Sequence, residues 1–156
     1  MGDYQSSAEV ISEKLIFLDM DLQNQDQVLE YIATQAQEID YISDQVTFLE
    51  AVKEREKEVS TAIGYLIAIP HGKTDVVKRP FIAFMRLKNE ITWGNAQSEP
   101  VRLVFLIGVP ESESGKLHLK FISQLSKKLL DEEFREKLLQ QTELTSVYKQ
   151  LTFIEV

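Results

Sequence analysis

Apolar positions along this chain come as short continuous runs and as spaced sets, and the two alternate. Leu15-Ile16-Phe17-Leu18 is a short strand candidate. Val28, Ile32, Ala36 and Ile39 then recur at helical spacing and predict an amphipathic helix over about residues 25–38, with Asn24 or Asp26 as its N-cap. Ser43 is the expected cap of a second helix that carries Val46, Leu49 and Val52 toward the core and ends near Lys57. The branched stretch from Ile63 to Ile69 reads as a buried strand or strand entry that ends at Pro70, which cannot donate to a central ladder. Phe81 to Met85 and Leu103 to Ile107 are near-continuous apolar runs, expected as central strands covered on both faces. Pro80 and Pro100 open them, where a missing N–H costs least. Ile91 to Gly94 is expected to form a loop or hairpin turn, with Trp93 as a packing residue. A helix over 117–130 places Leu117, Phe121, Leu125 and Leu129 on one face. Asp131 caps a further helix with Phe134 and Leu138 inward, and a last helix runs from about Glu143 to Leu151. Strands interleaved with helices predict an α/β fold: a single-domain sandwich over 1–156, a mixed β-sheet with helices on both faces, and a loose polar start over 1–10.

Composition narrows the function. The chain has 156 residues, 44% of them hydrophobic, enough for one full core. A net charge of −8 argues against nucleic acid, whose phosphates are bound by clustered Lys and Arg. No apolar run approaches the ~20 residues of a membrane helix, and a start bearing Asp3 and Glu9 lacks the layout of a secretory leader. The expectation is a cytoplasmic protein that does not insert into a membrane. The absence of cysteine removes thiolate metal sites and puts any cysteine chemistry on a partner. Two histidines without HxxxH spacing make a poor metal site, and the glycine-rich nucleotide loops and the GxSxG elbow are absent. No metal or cofactor is therefore expected.

The chemistry concentrates at Ile67-Ala68-Ile69-Pro70-His71-Gly72. His71 stands where an apolar run meets a proline, at a strand end of the kind where open α/β sheets bind ligands. Gly72 is expected to turn the backbone and leave space beside the ring. A presented histidine, largely neutral near pH 7, is a natural nitrogen nucleophile. A phosphoryl group landing on it brings negative charge that needs a cation or N–H groups. Arg55 and Lys73 are the candidate cations. His118, in the first turn of a helix, is disfavoured as a cation there and suited to hydrogen-bond a partner ring or a phosphoryl oxygen. The plainer readings are a hydrogen-bonded structural histidine at 71, a first-turn histidine without function at 118, and an arginine solvated between Glu54 and Glu56 at 55.

The stretch from Glu56 to Gly72, EKEVSTAIGYLIAIPHG, resembles the active-site signature of the type-2 IIA domains of the bacterial phosphoenolpyruvate:sugar phosphotransferase system. That is the fructose/mannitol family, which also holds the nitrogen-regulatory IIA proteins. The resemblance extends to Glu99–Leu106 and His118–Ser126 and covers about Leu15 to Leu151. It implies a mannitol-type IIA-like fold and a carrier mechanism. The phosphocarrier HPr donates a phosphoryl group to the histidine of the Pro-His-Gly motif, here His71. The group passes to a cysteine of a IIB component, and the membrane IIC component takes up the fructose- or mannitol-like sugar. The family's second, assisting histidine matches His118, and its upstream arginine matches Arg55, which would stabilise the phosphoryl group.

The rival reading is regulatory. In nitrogen-type IIA proteins the same histidine is phosphorylated and its state controls which partners dock. The two readings share the chemistry of His71 and part at the acceptor. Transport is the favoured one, since nothing in the chain marks the regulatory branch.

Overall fold

In the computed structural model, residues 10–94, 98–112 and 117–152 are described, the last span without the side chains of Leu117 and His118. The strands are β1 (Ile11–Met20), β2 (Ala62–Gly64), β3 (Ile67–Ala68), β4 (His71–Lys73), β5 (Phe81–Trp93) and β6 (Glu99–Val109). The helices are α1 (Gln25–Glu38), α2 (Gln45–Glu58), α3 (Leu117–Lys128), α4 (Glu132–Gln140) and α5 (Leu144–Thr152). The sheet runs β1-β5-β6-β3-β2, with β4 also on β6. β1 is parallel to β5, β5 antiparallel to β6, and β3 and β4 are both parallel to β6.

The continuous apolar runs have a direct physical cause. Along β5, Phe81, Ala83, Met85 and Leu87 join one core layer, while Ile82 and Phe84 join the other. Along β6, Val104 and Leu106 face the first layer, and Leu103, Phe105, Ile107 and Val109 the second. Each face is covered, so alternation between polar and apolar is lost. The first layer is closed by Val28, Leu29, Ile32, Ala33 and Ala36 of α1 with Phe48 and Val52 of α2. The second is closed by Phe121 and Leu125 of α3 with Leu138, Val147 and Leu151 of α4 and α5. The expected mixed sheet with helices on both faces is the architecture found.

Several local expectations need correction. Ile63 to Ile69 is not one strand: β2 and β3 are short and antiparallel, joined through Gly64 (φ 90°), Tyr65 (φ 56°) and Leu66 (φ 65°). Tyr-Leu carries no turn signature, since left-handed backbone normally goes to Gly or Asn. The strained corner is anchored by the Leu66 carbonyl, which accepts from the N–H groups of Arg102 (2.8 Å) and Leu103 (2.9 Å). Nor does extended structure stop at Pro70. It resumes at once as β4, with His71 beside Ile107, Gly72 beside Gly108 and Lys73 beside Val109.

The second helix is capped by Asp44, not Ser43: Asp44 Oδ1 accepts from the N–H groups of Val46 and Thr47. The Ser43 N–H instead donates to the Val76 carbonyl at 2.9 Å. Val46 is consequently 62% exposed, and the buried stripe of α2 is Phe48 and Val52, with Leu49 partly buried. Asn24 and Asp131 cap α1 and α4, Asn24 being the one chosen of its two alternatives. Trp93 is buried at the end of β5, as a packing residue should be, and its indole also makes a hydrogen bond.

Candidate functional site

His71 opens β4, which among the described residues is an edge strand paired to β6 alone. A Cβ placed on Gly72 would lie 2.8 Å from Val52 Cγ2 and 3.4 Å from Phe48 Cε1, so that residue faces α2. Alternation along a strand then puts His71 on the opposite face, toward the α3–α5 layer. This also corrects the expected role of Gly72. Its backbone makes no sharp turn; it is glycine because α2 lies against β4 too closely for a side chain.

The half-buried imidazole has a main-chain partner at Nδ1. His71 Nδ1 lies 3.2 Å from the Ile69 carbonyl oxygen. A carbonyl can only accept, so Nδ1 carries the proton and Nε2 the in-plane lone pair. The carbonyl is itself held. Pro70 restricts the backbone of Ile69, the Ile69 N–H donates to the Thr61 carbonyl at 3.0 Å, and the Pro70 carbonyl accepts from the Ile107 N–H at 3.0 Å.

Electrostatics keep the ring neutral. Burial pushes the imidazole below the usual histidine range; the bond to Ile69 opposes this, the Arg55 charge adds to it, and Glu56 and Glu58 oppose it. Arg55 lies in the last turn of α2 and its Nη1 donates to the Val59 carbonyl at 2.9 Å. It thus comes from α2, the helix packed against the Gly72 face of β4. A neutral ring beside a fixed guanidinium suits transfer of an anionic group: the cation disfavours protonation of the nucleophile and then offsets the charge that arrives.

The other candidates sort as follows. His118 lies in the first turn of α3, the helix covering the face on which His71 stands, and its side chain is outside the described residues. Lys73 is exposed at the far end of β4. Sequence reasoning missed the Ile69 carbonyl, because a main-chain acceptor two residues before the histidine leaves no residue-type signal. It also left Glu56 and Thr61 unread, although both stand in the signature. Two open depressions, one lined by Glu90, Ile91, Thr92, Ser98, Glu99 and Pro100 and the other by Lys88, Asn89, Glu90 and Arg102, lie toward the end of β5 and the start of β6, away from His71. Among the described residues, no group of three or more His, Cys, Asp and Glu is placed to hold a metal ion, and no helix is long and apolar enough to cross a membrane.

Residues 9–153 match the family model of the phosphoenolpyruvate-dependent sugar phosphotransferase system, EIIA 2. The chain is 36% identical over 127 residues to a fructose-specific EIIA component of Haloferax volcanii, covering 81% of this chain and 82% of that one. It is 31% identical over 143 residues to a nitrogen regulatory protein of Bradyrhizobium diazoefficiens, covering 92% of each. Among solved structures it is similar to the nitrogen regulatory protein IIA-Ntr of Neisseria meningitidis, with a TM-score of 0.82 and 27% identity over 92% of this chain and 97% of that one. It spans only 14% and 21% of the fused fructose-specific EIIABC components of Mycoplasma pneumoniae and Bacillus subtilis that it also matches.

Proposed function

From the premise that this chain belongs to the EIIA type 2 family of the phosphoenolpyruvate-dependent sugar phosphotransferase system, we propose that it carries a phosphoryl group on His71 between HPr and the cysteine of a IIB component. The observation that carries this reading is the imidazole geometry, with Nδ1 bound to the Ile69 carbonyl and Nε2 bearing the lone pair of a neutral ring. Nε2 attacks phosphorus on the phosphohistidine of HPr. The P–Nε2 bond forms as the donor's P–N bond breaks, and the donor ring leaves with the bonding pair. A thiolate of IIB then attacks phosphorus, and the pair of the P–Nε2 bond returns to His71. Arg55 offsets the added negative charge in both transfers, and His118 assists from the first turn of α3. The protein works in the cytoplasm, beside a membrane IIC component that transports the sugar.

Relatives named for fructose support a fructose-like sugar, and those that fuse EIIA, EIIB and EIIC in one polypeptide support a IIB partner and a membrane IIC. The nitrogen regulatory relatives favour a second reading, in which the phosphorylation state of His71 selects binding partners. The test is phosphorylation from phosphoenolpyruvate through enzyme I and HPr, read by intact mass. One acid-labile phosphoryl gain, absent in His71→Ala, is expected, followed by loss of the group to a fructose-type IIB. Phosphorylation without transfer to any IIB, with phosphorylation-dependent partner binding, would move the conclusion to the regulatory reading. No gain while HPr itself is phosphorylated would overturn both.

A further inference from the structure

Behind the imidazole lies a polar chain that the carrier chemistry does not use directly. Thr61 is buried, 4% exposed, and every polar atom it has is engaged. Its N–H donates to Glu56 Oε2 at 2.9 Å and its hydroxyl donates to Glu56 Oε1 at 2.7 Å. The same hydroxyl oxygen accepts from Trp93 Nε1 at 3.2 Å. The Thr61 carbonyl accepts from the Ile69 N–H at 3.0 Å, and the Ile69 carbonyl accepts from His71 Nδ1. The path therefore runs from the last turn of α2, through Thr61, to the peptide that sets the proton on the catalytic ring, with the end of β5 braced against it.

We infer that Glu56, acting through Thr61 and braced by Trp93, is a positioning residue that holds the Ile69 carbonyl on His71 Nδ1 and so keeps the nucleophilic lone pair on Nε2. The inference rests on the assignment of His71 as phosphoryl acceptor.

The physical reason is one of alternatives. A neutral imidazole chooses between two tautomers, and the choice follows the hydrogen bond that one nitrogen makes. The segment between Thr61 and His71 contains the Gly64-Tyr65-Leu66 corner with three consecutive positive φ angles, so it is not held rigid by regular ladder bonds alone. Glu56 closes both of Thr61's donors with one carboxylate, in the bidentate manner that fixes direction as well as distance. Trp93, at the end of β5, ties the same hydroxyl to the central sheet. Loosening this anchor lets the Ile69 carbonyl move off Nδ1, and the ring then populates the tautomer whose lone pair is on the wrong nitrogen. A displacement of about 1 Å in a positioning element can cost on the order of a hundredfold in rate.

The experiment uses the full unphosphorylated chain with 15N-labelled histidine. Imidazole nitrogen shifts near pH 8 give the tautomer of His71 directly, and phosphorylation by phospho-HPr gives the rate in parallel. Wild type is expected to be almost wholly Nδ1–H. Glu56→Ala and Thr61→Val are expected to mix the tautomers and slow phosphorylation by about ten- to a hundredfold, while Thr61→Ser, which keeps the hydroxyl, restores both. Trp93→Phe, which removes only the indole N–H, is the milder variant should Thr61→Val fail to fold, and it should shift the tautomer in the same direction. An unchanged Nδ1–H tautomer and an unchanged rate in folded Glu56→Ala and Trp93→Phe would overturn the inference. The tautomer is read without any phosphoryl donor, so failure of the positioning chain (an unchanged tautomer in the variants) is told apart from failure of His71 as acceptor (no phosphorylation of wild type).

Discussion

Midway along the central strands a buried guanidinium is held by all three of its nitrogens; nearer one end a half-buried imidazole has its Nδ1 on a main-chain carbonyl. Arg86, 2% exposed on β5, donates from Nε and Nη2 to the two carboxylate oxygens of Asp19 at 3.0 and 3.2 Å, and from Nη1 to the Leu138 carbonyl at 3.1 Å. It joins β1, β5 and α4. His71 faces the same helical layer, but its register position on β6 is Ile107, whereas that of Arg86 is Leu103. That separation is four residues, about 13 Å along a strand. Both groups are ionisable and removed from water. Arg86 is charged and answered by a carboxylate, so burial makes it structural. Burial and the Arg55 charge favour the neutral form of His71, the form the proposed chemistry needs. Charge separates the two more than depth does: the charged, carboxylate-paired Arg86 suits a structural role, and the neutral imidazole suits the role proposed for His71.

Asp19→Asn should break the strut most sharply. Asn tolerates the positive φ of 55° at this position, so the change removes charge and leaves the buried guanidinium unanswered. A loss of about 3 kcal/mol in chemical denaturation is expected, with phosphorylation of the folded fraction intact. A change below about 0.5 kcal/mol would show that solvent reaching the half-exposed Asp19 already weakens the pair.

Gly72→Ala tests the surroundings of His71. The added methyl meets Val52 at 2.8 Å, and overpacking of this kind costs about 1–3 kcal/mol. Because α2 and β4 must separate, His71 and Arg55 move relative to one another, and phosphorylation should slow together with the loss of stability. Undiminished phosphorylation in this variant would show that the spacing of α2 and β4 is not part of the site.

Acid titration gives the smallest effect and separates the two regions by pH. His71 is shifted below its ordinary value of 6.5, so between the unfolded and folded values the unfolded chain binds more protons. Its share of stability is intact above about 6.5 and is lost as the pH falls toward the folded value. Asp19 is shifted below its ordinary 3.8, chiefly by its hydrogen bond to Arg86. Its share is present above 3.8 and is lost as the pH falls through the lower folded value. Urea midpoints measured from pH 8 to 3 should therefore fall in two stages, and His71→Ala should flatten the first alone. A first stage unchanged in that variant would assign it to another group.

How much of this was legible in the residues follows the same division. β5 and β6 could be placed because both faces of Phe81–Met85 and Leu103–Ile107 are buried. β5 extends well past Met85, and the expected strand stopped short because Arg86 looks like an exposed end; its partner Asp19 lies 67 residues earlier. His71 could be singled out because it closes an apolar run in a chain with only two histidines. The hairpin at Tyr65 and Leu66 could not, since neither residue favours left-handed backbone and the corner is held by main-chain donors from β6. The carbonyl that orients the ring was hidden for the same reason: it belongs to the backbone.

The most direct test of the account asks which nitrogen of His71 carries the phosphoryl group. The chain is phosphorylated through enzyme I and HPr, and 15N–31P correlation spectra are recorded on protein with labelled histidine. The geometry predicts phosphorus on Nε2 with Nδ1 still protonated and bound to the Ile69 carbonyl. Phosphorus on Nδ1, or a ring whose Nδ1 has left that carbonyl, would contradict the account.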